Sequence, residues 1–316
     1  MREAFGCPSA TVPLGRKDCV ARERHMEHLA FLDRVKRLVV VAMFSDDDLM
    51  ERLVLKGGNL LDLVYQVSAR ASLDVDFSVD GDIEDAGELK DKIVRVLTAT
   101  FAAEGFQVFD VKVKAVPPKI TDDVKDFWGG YKAEFKIIES EKYERFRHDE
   151  DALRRDAAKI GGRESTRFTI DISRHEYCEH KRRFDFEGYT IYGQSPEMFA
   201  CEKLRAICQQ MEEYTTQLKK HSATRARDFL DFYVISEEFG LDYEDRSLWE
   251  ICAKTFAAKR VPLRLLGNVR NVRHQHEDDF LSVRDTVKPE FALRDFEFYF
   301  DYMVHKCQLL EPLGNV

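Results

Sequence analysis

Three aspartates and a pair of glycines carry the chemistry legible in this chain. Leu73-Asp74-Val75-Asp76-Phe77 alternates apolar and acidic residues. A β-strand turns successive side chains to opposite faces. The pattern therefore predicts a strand with Leu73, Val75 and Phe77 toward a core and Asp74 and Asp76 together on the other side. Two carboxylates side by side repel unless they share a cation, and Mg²⁺ held by carboxylates and substrate phosphates meets that need. The plainer alternative is an exposed polar strand face. A second strand, Arg167 to Ser173, sets Phe168, Ile170 and Ile172 on one face and Thr169, Asp171 and Ser173 on the other. A lone carboxylate between isoleucines is an unusual choice for mere surface. Upstream, Gly57 and Gly58 follow the apolar run Leu53-Val54-Leu55. Two glycines permit a sharp turn and close approach of backbone to a ligand, and a helix opening at Asn59 presents amides suited to a phosphate.

The elements that must position these residues follow from periodicity. A helix is expected from about Asp18 to Phe44, with Leu29, Leu32, Val35, Leu38 and Val39 at helical spacing. Asp46-Asp47-Asp48 caps a short helix from Asp48 to Leu55, since acids favour a helix N-terminus. Gly87 to Glu104 is a further helix, with Leu89, Ile93, Leu97 and Phe101 four apart. Strands are expected from Phe106 to Val113, from Tyr131 to Ile138 and from Tyr189 to Tyr192. Between the last two runs a charged helix, Glu139 to Lys159, stopped by Gly161-Gly162. After Gln194 the character changes. Ser195-Pro196-Glu197 is a helix start with a capping serine, a proline at the first position and an acid in the first turn. The chain is mostly helical from there. The expected division is a loose leader at 1–19, an α+β domain at 20–194 and a helical domain at 195–316.

Composition narrows the classes. At 316 residues, with 44% hydrophobic and 11% aromatic residues, the chain can bury a real core and is not a disordered one. It contains no run of about 18 apolar residues and no apolar signal-peptide core, so neither a membrane span nor secretion is expected and the cytoplasm is the expected location. Seven scattered cysteines without a C-x-x-C read as reduced thiols, with Cys201 and Cys208 packed in a core. A net charge of −9 argues against indiscriminate coating of nucleic acid but leaves room for local basic patches, at Lys181-Arg182-Arg183 or across the stretch from Lys254 to Arg273. His274-Gln275-His276-Glu277-Asp278-Asp279 reads as an exposed turn, because histidines two apart fall on different sides of a helix.

A diglycine turn, a helix, Asp-x-Asp on a strand and a further Asp on a later strand resemble the nucleotidyltransferase fold of the DNA polymerase β superfamily. Four motifs in order are similar to those of the AbiEii/AbiGii toxin family: Gly57-Gly58, Arg70 to Phe77, Glu202 to Ala206, and Arg225 to Asp231. The resemblance covers roughly residues 50 to 240. It implies a mixed sheet with flanking helices, followed by helices. It also implies transfer of a nucleoside monophosphate from an NTP to an acceptor, in a toxin–antitoxin or phage-defence pair. Asp74 and Asp76 would bridge two Mg²⁺ ions, or Mn²⁺, roughly 3.5–4 Å apart, with Asp171 completing the second site and helping to activate the acceptor hydroxyl. Lys56, Gly57, Gly58, Asn59, Arg70, Ser72 and Lys203 would meet the nucleotide. Asn59 stands where a small hydroxyl residue is common. Ser72 is also a place for an antitoxin to interfere. Lys203 would neutralise phosphate or act as an acid toward the leaving group, with Asp228 or Asp231 holding it or the nucleotide. An ion pair between Arg227 and Asp231 is the alternative for the latter. The implied acceptor is RNA, such as the tRNA 3′ end, bound along the 254–273 stretch. A small molecule or a protein hydroxyl as acceptor, and a catalytically silent nucleotide-binding protein, are the alternatives.

Overall fold

The structure is a computed structural model and describes residues 16–310 apart from 82, 84, 161–164, 217, 219 and 220, with the side chains of 16–25 left aside. Most of the expected leader, Cys7, the Cys19 side chain and the Gly161-Gly162 stop lie outside the described residues.

The chain opens with α1 (Arg16–Phe44) and α2 (Asp47–Arg52), the latter capped by Asp46, whose carboxylate accepts from the Leu49 amide at 3.0 Å. The helix expected to run to Leu55 ends at Arg52. Leu53 to Lys56 instead form β1, a fully buried strand paired antiparallel with β2 (Val75–Val79), with Leu55 opposite Phe77 and Lys56 opposite Asp76. A buried apolar run of four residues is consistent with either structure by periodicity, and pairing decides it here. Between these strands Gly57 opens α3 (Gly57–Asn59), which widens into a π-type turn over Leu60–Val64 with Tyr65 N donating to Leu60 O at 3.0 Å.

Next come α4 (Ala86–Ala103), β3 (Phe106–Val116) and β4 (Gly130–Glu139). The charged run after β4 forms two short helices, α5 (Ser140–Phe146) and α6 (Glu150–Asp156), rather than one. Then follow β5 (Phe168–Ser173), β6 (Arg182–Phe186) and β7 (Tyr189–Gly193). The sheet order is β3-β4-β5-β2-β1-β7-β6, with β2 parallel to β5 and β1 parallel to β7, the other pairs antiparallel. β6 was not expected. It is an edge strand whose Arg182 and Arg183 are exposed, so it carries little apolar alternation to mark it. The alternation of β2 and β5 does hold: Val75, Phe77, Ile170 and Ile172 are buried in the core, and Phe77 meets Phe44 of α1 edge to face at 5.9 Å. Leu73 departs from it. It is 46% exposed, because pairing starts only at Val75. Leu29 of α1, 47% exposed, likewise lies off the buried stripe formed by Leu32, Val35, Leu38 and Val39.

From Pro196 the described chain is helical: α7 (Pro196–Cys208), α8 (Glu212–Thr215), α9 (Ala226–Glu238), α10 (Arg246–Ala258), a 3₁₀ stretch over Leu263–Asn271, α11 (Arg273–Glu277), α12 (Phe280–Arg284) and α13 (Phe296–Leu310). The Ser195 hydroxyl caps α7 at the Met198 amide, 3.2 Å away. α7 packs against α9 and α10, burying Cys201, Leu204, Ile207 and Cys208 completely. The five described cysteines are buried free thiols. Among the described residues no helix is long and apolar enough to cross a membrane.

Candidate active site

Strand register assembles the site. Asp76 of β2 sits beside Asp171 of the parallel β5, Lys56 of β1 sits opposite Asp76, and Lys132 of β4 sits opposite Asp171. Four adjacent strands therefore carry the row Lys56, Asp76, Asp171, Lys132 on one face. Neighbouring strands lie about 4.8 Å apart, and like charges directly opposite one another destabilise a sheet. The row keeps two carboxylates at its centre. Lys132 Nζ reaches Asp171 Oδ1 at 3.2 Å. The amine of Lys56 turns away from Asp76 to Glu176 at 2.6 Å, Ser173 at 3.2 Å and Glu202 at 3.3 Å.

Asp74 precedes the strand by one residue, and its backbone carbonyl accepts a hydrogen bond from Asn59 Nδ2 at 2.6 Å. Asn59 is wholly buried. Its side-chain amide positions the Asp74 backbone, and Asn59 does not line the cleft. The diglycine turn is shaped around the same carboxylates. Gly57 has φ +69°, and a Cβ there would stand 2.5 Å from Asp76 Oδ2; a Cβ on Gly58 would stand 2.7 Å from Ser72 Cβ. Only glycine combines that backbone with that approach.

Burial in the cleft, with Asp171 and Asp74 adding repulsion that Lys56 only partly offsets, pushes the Asp76 carboxyl up to about 7. Asp74 is raised by burial and then by Asp171. The site is thus short of positive charge: Lys132 reaches Asp171, but the amines of Lys56 and Lys203 are engaged by acids outside the trio. An all-oxygen, carboxylate set with that deficit suits a hard divalent cation such as Mg²⁺ or Mn²⁺. The side chains converge without closing into a finished cage: among the described residues no group of three or more His, Cys, Asp or Glu stands in metal-holding geometry.

The helical half supplies the opposite wall. Lys203 of α7 is largely buried and donates to Asp228 at 2.7 Å and Asp231 at 3.0 Å, both on α9. Burial alone would lower its pKa, but the two carboxylates outweigh it and raise it. Lys203 therefore stays an ammonium and is a poor proton donor. Asp231 also takes a two-pronged contact from Arg70, so the alternative Arg227–Asp231 pair does not form; Arg225 reaches Asp228 at 2.9 Å. Between the walls lies a cleft of about 1180 Å³ lined by Lys56, Gly57, Gly58, Arg70, Ser72, Asp74, Asp76, Asp171, Lys203 and Asp228. The structure brings all of the expected site residues to this cleft except Asn59. Three of them, Lys56, Arg70 and Lys203, have their charge engaged by protein carboxylates.

A charged network that also lines the cleft escaped sequence reasoning. Glu176 receives Lys56 and the Ser78 hydroxyl and lies 3.6 Å from Arg205 and 3.9 Å from Lys259. Glu202 receives Gln194 and Lys56. Glu202 and Arg205 stood inside a recognised motif, but nothing in the chain marked Glu176. His276 was expected in an exposed turn. It lies in α11 and is wholly buried, with Nδ1 accepting from the Arg225 amide at 3.1 Å, while His274 is exposed. Most cations of the 254–273 stretch have partners in the fold. Lys259 is buried with its amine on the Arg174 carbonyl, Lys254 pairs with Glu179, Arg264 with Glu213, Arg273 with Glu277 and Glu297, and Arg260 lies over Phe127. Lys181 and Arg182 likewise pair with Asp80 and Glu197.

Residues 39–302 match the model of a family described as Nucleotidyl transferase AbiEii toxin, Type IV TA system. Among solved structures, JHP933 from Helicobacter pylori aligns over 93% of this chain and 94% of its own at 16% identity, with a TM-score of 0.45. A second H. pylori protein, described provisionally as a nucleotidyltransferase, aligns over 92% and 96% at the same identity and TM-score. No curated protein matches the sequence.

Proposed function

This chain belongs to the AbiEii family of nucleotidyl transferase toxins of type IV toxin–antitoxin systems, and we propose that it moves a nucleoside monophosphate from an NTP to an RNA 3′ hydroxyl, such as that of tRNA. The observation that carries the reading is the in-register pair Asp76 and Asp171, joined by Asp74 beside a diglycine bend that a Cβ would close.

Asp74, Asp76 and Asp171 would hold Mg²⁺. When bound, the metal supplies neutralisation of the charge on the attacking and leaving oxygens. Gly57 and Gly58 let the backbone approach the triphosphate, and the Ser72 hydroxyl lies beside them in the cleft. The acceptor oxygen forms a bond to the α-phosphorus as the bond to the bridging oxygen breaks and pyrophosphate leaves. Asp171, steadied by Lys132, receives the acceptor's proton. The Lys203 ammonium faces the charge developing on pyrophosphate. Lys119 and Arg227 at the cleft wall favour a polyanionic acceptor through its phosphates. A toxin of this kind has a cognate antitoxin as partner, and Ser72 is where it would act.

The test is incubation with each labelled NTP, Mg²⁺ and total RNA. Label is expected in a discrete RNA species and is lost in both Asp74→Ala and Asp171→Ala. Label in protein or in a small product would move the acceptor to another class. Transfer that survives Asp171→Ala while Asp74→Ala removes it would unseat the third acid. The absence of transfer from every NTP would leave no enzyme of this kind.

A further inference from the structure

The end of β3 and the loop joining it to β4 form a wall of the cleft in which apolar side chains stand among Lys119, Thr121 and Asp123. Val116, Pro117, Val124 and Trp128 face the cavity from it, and Val116 is 45% exposed there. Trp128 is half-buried and firmly placed. Its amide donates to the Val124 carbonyl at 2.9 Å, and the carbonyl of the next residue, Gly129, accepts from the Arg174 amide at 3.0 Å, just past the end of β5. The Lys259 amine lies 5.5 Å from the indole centroid, and Arg260 lies 4.4 Å from the ring centroid of the neighbouring Phe127. The two residues that follow α10 thus brace the loop.

A nucleotide presents a polyphosphate, a sugar and a flat aromatic base. The proposed function assigns groups to the phosphates and none to the base. Trp128 precedes Lys132, the register partner of Asp171, by four residues. At roughly 3.3 Å per residue it stands no more than about 13 Å along the chain from Lys132, with Asp171 one strand spacing of about 4.8 Å beyond. That span is comparable with the reach of a nucleoside triphosphate from its phosphates to its base. We propose that Trp128, flanked by Val116 and Pro117, is the nucleobase subsite, and that the base of the incoming NTP stacks on the indole. The inference rests on the proposed function. Stacking on an aromatic side chain uses the π-face that every base has and contributes enough to change binding by about tenfold or more.

The chain has two tryptophans. Trp249 lies on α10, outside the residues lining the cleft, with its indole N–H on the Tyr243 carbonyl. Trp249→Phe therefore makes Trp128 a single reporter in an otherwise intact protein. Titration with each NTP is expected to quench its fluorescence saturably, whereas inorganic tripolyphosphate binds without that quench. In equilibrium dialysis, Trp128→Ala weakens labelled NTP binding about tenfold, Trp128→Phe restores most of it, and tripolyphosphate affinity stays unchanged in both. NTP binding by the wild type with no quench in the reporter, or with wild-type affinity in Trp128→Ala, overturns the subsite and leaves the transferase reading standing. If the wild type binds no NTP, both fall.

Discussion

Arg70 and Asp231 stand 161 residues apart in the chain and meet through two hydrogen bonds, 2.9 and 2.7 Å, with both side chains buried. The contact joins the segment leading into β2 to α9 and so fixes the two walls of the cleft. Asp231 also holds Lys203. Removing one partner of a buried ion pair leaves an uncompensated charge and costs about 3–5 kcal/mol. Asp231→Ala, which strands Arg70 and leaves Lys203 with Asp228 alone, is expected to lie in that range by urea unfolding. The double variant Arg70→Met/Asp231→Leu, which removes the charges together, is expected to lose less than the two single substitutions added.

Lys203→Met separates stability from chemistry. Asp228 keeps Arg225 and Asp231 keeps Arg70 after the amine is gone, so the unfolding free energy falls less than in Asp231→Ala. The ammonium facing the leaving group is lost, and removal of one such charge-stabilising donor typically lowers turnover about 10²–10³-fold. Nucleotide transfer at saturating NTP, set against the unfolding curve, reads the two effects apart.

Gly57→Ala tests the diglycine bend. A left-handed backbone costs an ordinary L-residue about 1–2 kcal/mol. The new methyl group would also stand 2.5 Å from Asp76 Oδ2 and so displace a carboxylate of the reacting trio. Turnover is expected to fall more steeply than thermal stability, while Gly188→Ala, also at positive φ but with nothing near its Cβ, loses stability alone.

Mg²⁺ is expected to raise the unfolding temperature of the wild type, because a cation bound only by the folded state stabilises it by about 2.7 kcal/mol at a hundred times its Kd. Asp76→Asn removes the central repulsion with Asp171 and Asp74, so it should be more stable than the wild type without metal at pH 8 and gain little on addition of Mg²⁺. A wild type indifferent to Mg²⁺ and Mn²⁺ in thermal unfolding would remove the metal from the site.

The site was largely legible because its residues announce themselves locally. The alternation around Asp76 and Asp171 and the paired glycines each carry a conformational requirement within a few positions. What stayed hidden depends on register between distant strands. Nothing near Lys132 in the chain shows that it lies opposite Asp171, and Glu176 becomes the partner of Lys56 only once β1 and the segment after β5 are side by side. β6 was missed because an exposed edge strand need not alternate. The acids that pair with Lys254, Arg264 and Arg273 could not be read either, because proximity in sequence says nothing about which acids fold against them.

His276 contributes to the acid sensitivity of the fold. It is wholly buried, its Nδ1 accepts from the Arg225 amide, and it faces Asp228, Arg225 and Asp279. Burial, with a smaller contribution from Arg225, lowers its pKa to about 4 from an ordinary 6.5, although Asp228 and Asp279 pull the other way. Between these values the unfolded chain binds a proton that the folded chain refuses, so stability falls as pH drops from about 6.5 toward 4. The loss attributable to this residue is about 3 kcal/mol at the lower end, at 1.36 kcal/mol per pKa unit, and it vanishes above pH 7. His276→Gln keeps an acceptor for the Arg225 amide and does not titrate. The stability difference between wild type and His276→Gln, followed by urea unfolding from pH 7.5 to 4, is expected to shift toward the variant by that amount. A difference constant across the range would mean that His276 titrates alike in the folded and unfolded chain.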